Sequence, residues 1–505
     1  MKKYQHLLLS SVGLLYPIIL LFFFLKMDSY NIKVLLVYAV FAIVLYAVSC
    51  LFSKRISKVL FVILSFFYSI VLLTDCLLAH LFGNTITQNM LFTVYETNPE
   101  ESREFMHTYL SWTILLIVLS LLFFTLMGVF FFLKTTHKSN LKFKMFYSIL
   151  ILVGILGLTK ASCYAKPLVY VQSYFEYKNY ISELDKTYSK KEGGQFTQVT
   201  CKRDTLTAVV IVGESVTRRH MSLYGYPRET NPLLSKQRNL LVFNHVKSPH
   251  CTTIASLCEV LTFADKDAPY RTLQGSLMQL CNRAGFTSYW ISNQAALGIQ
   301  DNAITMLSKS CANSFFTPRL PLDSCKTPYD EAIFNVFDST LNAKTPKKII
   351  FVHLFGSHYC YNKRYPNSYN HFTDQFPKTY FSVNEKEKIQ TINEYDNSIL
   401  YNDWIVHSII QKVQKKKSTS CVIYFSDHGE DTYETNKNFC GHSDDIASLP
   451  MHQIPFIVWT SSHFKLPHDA IDVTKSYCTD DLMFSIADLL QINFDEMEKG
   501  RSIFR

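Results

Sequence analysis

Two apolar segments of this chain each end in side chains that can bind a metal ion. Residues 422–425 have the pattern of a buried strand, and Asp427 and His428 follow on a predicted turn. Residues 207–212 have the same pattern and lead to the carboxylate of Glu214. An Asp-His-Gly turn taken alone is more commonly a capping turn than a metal site. Because α/β sheets present ligands at the carboxyl ends of their strands, two acidic strand ends indicate one shared site.

A threonine-containing loop lies between these two strand ends. Residues 248–258 form a loop that leads into an apolar stretch with a helical pattern, and Thr252 and Thr253 stand at its start. A threonine there is either a helix cap or a nucleophile activated by a metal, among N–H groups that can hold an anion. The cap is the commoner role for an isolated threonine. The two acidic strand ends favour the nucleophile here.

These segments belong to a region of alternating strands and helices that begins near residue 204. The strand candidates are residues 207–212, 286–291, 348–354, 421–425 and 454–459. Helical patterns occur at residues 271–284, 329–341 and 385–415. Such alternation predicts an α/β fold with a mostly parallel central sheet flanked by helices.

The first third of the chain is instead rich in long apolar runs. Five runs precede the α/β region, at about residues 6–25, 34–52, 59–82, 111–133 and 145–158. The first four can cross about 30 Å of hydrocarbon, and the fifth can if it continues to about residue 165. Lys and Arg cluster in alternate connections, which predicts a cytoplasmic amino terminus and an α/β region outside the membrane. The first run lacks a small-residue cleavage site, so we expect an anchor and not a removed signal peptide.

Net charge and cysteine content indicate which partners, which cellular compartment and which structural metal to expect. The net charge is +9, but many basic residues lie beside apolar runs, so we expect no nucleic-acid partner. Ten of the 13 cysteines lie away from the apolar runs, which favours several disulfides in an oxidising compartment. No Cys/His spacing typical of a zinc ribbon occurs, so structural zinc is not expected.

The α/β region contains a series of short motifs in a fixed order. They are Gly213-Glu214-Ser215, residues 220–228, Ser256-Leu257, Gly356-Ser357-His358, Arg364-Tyr365-Pro366, residues 395–401, residues 426–430 and Gly441-His442. Together they resemble the phosphoethanolamine transferases of Gram-negative envelopes, members of the alkaline phosphatase and sulfatase superfamily. The resemblance implies five transmembrane helices followed by an alkaline-phosphatase-like domain. We therefore predict a transmembrane domain at residues 1–165, an interfacial linker at 166–203 and a periplasmic catalytic domain at 204–505.

The resemblance also implies a zinc centre in the catalytic domain. The implied ligands are Glu214, Thr253, Asp427 and His428. Thr253 is the implied nucleophile, chosen over Thr252 because the family has Ser-Leu three and four residues later, which fits Ser256-Leu257. Carboxylate, imidazole and alkoxide oxygen are suitable zinc ligands. One zinc ion is expected, and the resemblance leaves room for a second.

Several further histidines can be compared with the family. His358 and His442 match positions around the substrate phosphate or the second zinc, and we predict that they act in catalysis and substrate binding. His353 lies within a predicted strand, so we expect it to pack in the core or to support a ligand. The others are expected to be structural: His220, His245, His250 and His452.

The loop between the third and fourth apolar runs carries a periodic polar series. Thr93, Thr97 and Glu101 stand four residues apart and would share one face of a helix. Taken alone, the series is typical of an amphipathic connector with a solvated acidic face. Family members have a helical Asn, Thr, Glu series that contacts the ethanolamine head group, so the resemblance implies substrate binding here. Thr93 departs from the usual Asn.

A second departure from the family follows Asn293, which we also predict to bind substrate. Some relatives have a lysine shortly after the matching Asn pair. This chain continues instead with Ala-Ala-Leu-Gly at residues 295–298. Recognition of the acceptor is therefore expected to differ from those relatives.

The expected activity is zinc-dependent transfer of phosphoethanolamine from phosphatidylethanolamine, through phosphorylated Thr253, to lipid A or lipopolysaccharide core. We expect a monomer in the inner membrane, in contact with lipid. The alternatives within the fold are a phosphoglycerol transferase, a phosphatase or a sulfatase. Residues 251–255 lack the Pro and Arg that follow a sulfatase nucleophile, and a soluble phosphatase needs no membrane spans. A non-catalytic envelope module predicts loss of a metal ligand, whereas all four are present.

Overall fold

The computed structural model describes residues 2–97, 102–103, 106, 109–134, 141–294, 302–317, 328–373 and 383–505. It divides into two compact units, Met1–Asn179 and Tyr180–Arg505. The helices of the first part of the chain are α1 Lys2–Phe24, α2 Ser29–Leu51, α3 Lys54–Phe82, α4 Gln88–Glu96, α5 Trp112–Lys134, α6 Leu141–Lys160 and α7 Lys166–Tyr188.

The five predicted apolar runs all form helices. Within the described residues, α2, α3, α5 and α6 are long and apolar enough to cross a membrane, and α1 has the shorter apolar stretch Leu8–Phe24. Helices suit such runs because they satisfy every backbone polar group internally. Helices α1 and α5 approach closely at Gly13 and Gly128, where a Cβ on Gly13 would lie 2.9 Å from the Cα of Gly128. Small residues allow this approach between apolar helices.

A buried acid in α3 organises the loop before α4. Asp75 accepts hydrogen bonds from the hydroxyl of Tyr38 at 2.6 Å and from the backbone N–H of Ile86 at 2.8 Å. Lys166 donates to the carbonyl of Ile86 at 2.6 Å. The peptide groups of Ile86 are thus held by a buried acid on one side and a buried base on the other, which orders the chain just before α4.

The second unit is built on a seven-stranded sheet. The strands of this unit, which also contains three two-stranded sheets, are β1 Thr200–Cys201, β2 Leu206–Gly213, β3 Leu240–Val242, β4 His245–Lys247, β5 Thr287–Ser292, β6 Asn313–Phe316, β7 Lys347–His353, β8 Ser420–Ser426, β9 Asp431–Thr432, β10 Cys440–Gly441, β11 Phe456–Thr460, β12 Ser476–Cys478 and β13 Ile492–Asn493. The large sheet has the order β3-β11-β8-β2-β7-β5-β6. Pairs from β8 to β6 are parallel, and β11 is antiparallel to both neighbours. The predicted α/β fold with a mostly parallel sheet is confirmed.

Helices cover both faces of this sheet. They are α8 Thr253–Val260, α9 Leu277–Arg283, α10 Ala303–Lys309, α11 Phe334–Leu341, α12 Lys386–Lys415, α13 Leu449–His452 and α14 Leu482–Leu490. Side chains of β2 alternate between two apolar cores: Val210 and Val212 pack in one, Val209 and Ile211 in the other. A strand buried on both faces has this continuous apolar sequence.

Two expectations are corrected here. The helix predicted at 271–284 is interrupted at Gly275, whose φ of 153° suits glycine, and α9 starts afresh after the capping box of Ser276 and Gln279. The structure also has no disulfide among the described cysteines, so the predicted disulfides are not found there. Cysteines such as Cys281 and Cys421 pack instead as small apolar side chains in the core.

Candidate metal centre and nucleophile

The two acidic strand ends meet at one edge of the sheet. Strands β2 and β8 are parallel neighbours, with Gly213 opposite Ser426, so Glu214 and Asp427 leave the sheet side by side. The backbone N–H of Ser215 donates to Oδ1 of Asp427 at 3.1 Å, which ties the two turns together. This is the meeting of strand ends expected from the parallel register.

His428 directs one ring nitrogen into the space between the carboxylates. Its Nε2 lies 3.4 Å from Oε1 of Glu214 and 3.4 Å from Oδ2 of Asp427. Its Nδ1 lies 2.9 Å from the carbonyl oxygen of Gly429, which can only accept a hydrogen bond. In the neutral imidazole the proton therefore belongs on Nδ1, and Nε2 is the nitrogen that can present a lone pair to a metal ion, as in a metal-binding histidine.

The hydroxyl of Thr253 completes the cluster. Thr253 is the first residue of α8, and its Oγ1 lies 3.1 Å from Oε2 of Glu214 and 3.3 Å from Nε2 of His428. The hydroxyl of Thr252 points elsewhere and donates to Asp444 at 3.0 Å. Of the two threonines that the sequence brings to this loop, Thr253 is therefore the one beside the acids and the imidazole.

Burial and mutual interactions shift the pKa of all three buried groups in the cluster. Burial raises the pKa of Asp427 to about 8, and the charge of Glu214 adds to the shift. Burial opposes the charge on His428, yet Asp427 and Glu214 raise its pKa to about 10. Burial also opposes ionisation of Glu214, but nearby histidines, His428 first, hold its pKa well below the usual range.

The donor set fits a divalent cation. Glu214, Asp427 and His428 offer ligand atoms that all lie within 4.8 Å of one another, and all three side chains are buried. Within the described part of the chain, Oδ2 of Asp427 is buried and has no hydrogen-bond partner. A buried carboxylate oxygen without a donor is costly, and a cation would satisfy it. Oxygen and imidazole ligands of this kind suit zinc.

A second group of side chains adjoins the first. His442 lies with its ring centroid 4.1 Å from that of His428. Its Nδ1 lies 2.7 Å from Oε2 of the buried Glu430, and the other oxygen of Glu430 accepts the hydroxyl of Tyr361 at 2.5 Å. Glu430 thus orients His442. His428, Glu430 and His442 also form a metal-compatible trio. Glu430 belongs to the motif at residues 426–430 but had no predicted role, although its place two residues after His428 was a signal.

The His358 loop is held from two sides. Asp330 accepts the backbone N–H groups of Phe355 at 2.8 Å and Gly356 at 2.9 Å. The buried Arg364 donates to the carbonyl of His358 at 3.0 Å. Gly356 has a φ of 52°, and a Cβ there would lie 2.7 Å from the carbonyl oxygen of Glu214. The loop can therefore pass close to the metal cluster, and the charge of His358 is among those that lower the pKa of Glu214.

Asn293 and its neighbour have different surroundings. The side chain of Asn293 donates to Asp330 at 2.8 Å and to the carbonyl of Pro328 at 3.0 Å, so it supports the His358 loop from within the fold. Gln294 instead donates to Oε2 of Glu214 at 3.2 Å. The contact with the cluster thus comes from Gln294, which was not predicted. The sequence does not show which of two adjacent side chains in an extended segment points toward the cluster.

The predicted head-group series lies in the first unit. Thr93 is exposed in α4, and its hydroxyl donates to the carbonyl of Asn89 at 3.1 Å. Thr97 lies just past the end of α4 with extended backbone, and its hydroxyl donates to the carbonyl of Thr93 at 2.6 Å. The helix thus ends at Glu96, so Thr93 and Thr97 do not lie on one continuous helix. Glu101 lies outside the described residues.

Two further histidines, His353 and His220, are buried. His353 is buried, with its ring 5.5 Å from that of Trp290, and burial lowers its pKa to about 4. His220 is buried against Asp396, whose other oxygen binds Arg228 at 2.7 Å. This network explains why residues 220–228 and 395–401 occur as paired motifs.

Comparison with known proteins agrees with this geometry. Residues 207–492 match the Sulfatase family. The chain is 30% identical to the phosphoethanolamine transferase EptC of Escherichia coli K12, over 90% of this chain and 83% of the relative. This chain belongs to the phosphoethanolamine transferases. Another member, CptA of Salmonella typhimurium, is 28% identical over 84% of this chain and 78% of its own length.

Solved structures of phosphoethanolamine transferases support the same assignment. The C-terminal periplasmic domain of the Escherichia coli EptC, in complex with zinc, is 32% identical and matches with a TM-score of 0.58, covering 61% of this chain and 89% of that one. The integral membrane EptA of Neisseria meningitidis matches with a TM-score of 0.70, covering 100% of this chain and 97% of that one. At 19% identity, that likeness concerns the fold alone. The transferase is thus an apolar helical unit followed by an alkaline-phosphatase-like unit.

Proposed function

We propose that this transferase binds zinc through Glu214, Thr253, Asp427 and His428 and moves phosphoethanolamine from phosphatidylethanolamine, through Thr253, to an envelope glycolipid. The acceptor is lipid A or lipopolysaccharide core. The observation that carries the proposal is the position of the Thr253 hydroxyl, 3.1 Å from Oε2 of Glu214 and 3.3 Å from Nε2 of His428. The zinc complex of the related EptC domain supports the choice of metal.

The protein's own groups prepare the nucleophile. Bound zinc would lower the pKa of the Thr253 hydroxyl and neutralise charge on the phosphoryl oxygens. Glu214 orients that hydroxyl by accepting its hydrogen bond, and Gly429 fixes the tautomer of His428. Ser256 donates to the carbonyl of Asp427 at 2.6 Å and so keeps α8 against the ligand loop.

The reaction has two displacements. In the first, Oγ1 of Thr253 loses its proton and bonds to phosphorus, the bond from phosphorus to the diacylglycerol oxygen breaks, and that oxygen gains a proton. In the second, an acceptor oxygen loses its proton and bonds to phosphorus, the bond from phosphorus to Oγ1 of Thr253 breaks, and Oγ1 regains a proton. We assign the proton transfers to His442, oriented by Glu430, and to His358.

Other parts of the chain would bind the head group and place the enzyme in the membrane. The ammonium of the head group would meet the polar series of Thr93, Thr97 and Glu101, where a carboxylate is a suitable partner. Asn293 contributes by holding the His358 loop through Asp330. The apolar helices of residues 1–165 anchor the monomer in the inner membrane, residues 166–203 link them to the second unit, and residues 204–505 act in the periplasm.

The test uses full-length protein in detergent micelles with labelled phosphatidylethanolamine. Thr253→Ala should form no phosphorylated enzyme and transfer no label, whereas Thr253→Ser should retain measurable transfer. Mass spectrometry of lipid A and core from cells with and without the protein identifies the acceptor by one added phosphoethanolamine. Full transfer by Thr253→Ala would refute the nucleophile, and release of glycerol phosphate would assign phosphoglycerol transfer instead.

A further inference from the structure

Asp444 lies two residues after His442 and holds the loop that leads to Thr253. Its Oδ1 accepts the backbone N–H of Cys251 at 2.7 Å, and its Oδ2 accepts the hydroxyl of Thr252 at 3.0 Å. One carboxylate thus binds two consecutive residues immediately before the proposed nucleophile. Such a bond pair sets both the path of the backbone and the direction of a side chain.

The hydroxyl of Thr252 does not make the capping hydrogen bond that is usual at its position on the helix. Thr252 is the N-cap of α8 and has the extended backbone of a cap, with φ −131° and ψ 144°. A threonine at this position commonly accepts a bond from an N–H group of the first turn. Its side chain makes no such bond to the described residues and donates to Asp444 instead. The first-turn N–H groups of α8 therefore remain donors for an anion beside Thr253.

A bridging histidine extends this contact to the far end of the helix. Nδ1 of His250 lies 3.5 Å from Oδ2 of Asp444, and its Nε2 lies 3.0 Å from Oε1 of Glu259. Glu259 is buried near the end of α8. The Asp444 loop thus contacts both the chain before the helix and, through His250, the helix itself, so the placement of α8 depends on it.

We propose that Asp444 is a positioning residue for phosphoryl transfer, a role that rests on the proposed function of Thr253 as the nucleophile. It holds residues 251–252 so that the Thr253 hydroxyl stays beside Glu214. It also keeps the Thr252 hydroxyl away from the first-turn N–H groups of α8, which then serve the phosphoryl oxygens. Without this carboxylate, the Thr252 hydroxyl turns back to cap the helix and competes with the phosphoryl group.

The test compares the wild type, Asp444→Ala, Thr252→Val and the double variant, each as full-length protein in detergent micelles. After mixing with phosphatidylethanolamine, rapid quenching and mass spectrometry give the rate at which Thr253 is phosphorylated. Asp444→Ala should be slower by roughly tenfold to a hundredfold, with unchanged zinc content and a larger change in kcat than in KM. The double variant lacks the competing hydroxyl and should be about fivefold faster than Asp444→Ala.

Two further variants keep the test decisive. Asp469→Ala removes an exposed carboxylate elsewhere and should match the wild type. If Asp444→Ala loses zinc or fails to fold, Asp444→Asn decides, and it should be slower by at least about threefold. A wild-type rate for the Asp444 variants, or equal rates for Asp444→Ala and the double variant, would overturn the proposal. Failure of the proposed function looks different, because wild-type protein would then transfer the label without phosphorylated Thr253.

Discussion

Replacing Glu430 by glutamine should slow the transfer by disturbing His442. Glu430 is buried, and its two oxygens accept the hydroxyl of Tyr361 at 2.5 Å and the Nδ1–H of His442 at 2.7 Å. Glutamine has nearly the same shape but carries no charge and has only one acceptor oxygen. It can either keep a weaker, uncharged bond to the Nδ1–H of His442, or turn its NH₂ group to that nitrogen and move the imidazole proton to the other nitrogen, which is wrong for a group that exchanges protons with the substrate.

The size of the effect follows from the bond that is lost. A hydrogen bond between a buried carboxylate and an imidazole contributes about 1.5 to 3 kcal/mol. A loss of this size in the transition state corresponds to roughly tenfold to 150-fold in kcat. Because Glu214, Thr253, Asp427 and His428 are untouched, the zinc ion that they hold should remain bound.

The assay measures kcat for labelled phosphoethanolamine transfer by the full-length protein. Glu434→Gln is a matched control, since the side chain of Glu434 is also largely buried. Its carboxylate lies 2.5 Å from Nε of Arg219, and this pair is not part of the cluster. A kcat for Glu430→Gln within about threefold of the wild type, alongside an inactive His442→Ala, would refute the orienting role.

A change of pH and the substitution Asp75→Ala should each alter a measurable property of the protein. In the metal-free protein, the raised pKa of Asp427 means that its protonated form adds stability at low pH, which is lost as the pH rises through about 8. Zinc binds the ionised carboxylate of Asp427 and the neutral imidazole of His428. Its affinity, measured by competition with a chromophoric chelator, should therefore increase steeply up to about pH 8 and more slowly up to about pH 10, and a pH-independent affinity would contradict this. Asp75→Ala should lower the free energy of unfolding by about 2 to 4 kcal/mol, because Ile86 N–H and the Tyr38 hydroxyl lose their buried acceptor. Thermal unfolding in detergent measures this, with the exposed Glu183→Ala as control, and equal stability of both variants would count against it.

The strands that carry the site were predictable because their signal is local. Strand β8 was predicted at residues 421–425 and found at Ser420–Ser426, and β2 was predicted at 207–212 and found at Leu206–Gly213. Continuous β-branched and apolar runs leave few alternatives to a buried strand. The helix at 271–284 was wrong because one glycine with a positive φ outweighed the apolar period around it.

The side-chain partners were less predictable. Gln294 contacts Glu214, whereas its neighbour Asn293 contacts Asp330. The same sequence pattern would have allowed the reverse. Similarly, α4 ends at Glu96, so the polar series beyond it does not continue on one helix.

The amino-acid sequence alone was enough for the fold class, the apolar helices and the convergence of Glu214 with Asp427, because these follow from residue periodicity and from the parallel register of strands. Only the folded chain shows that Thr253 lies in the cluster while Thr252 binds Asp444, and that Glu430 orients His442. These pairings join segments up to about 200 residues apart, and they depend on side-chain directions that local patterns do not encode.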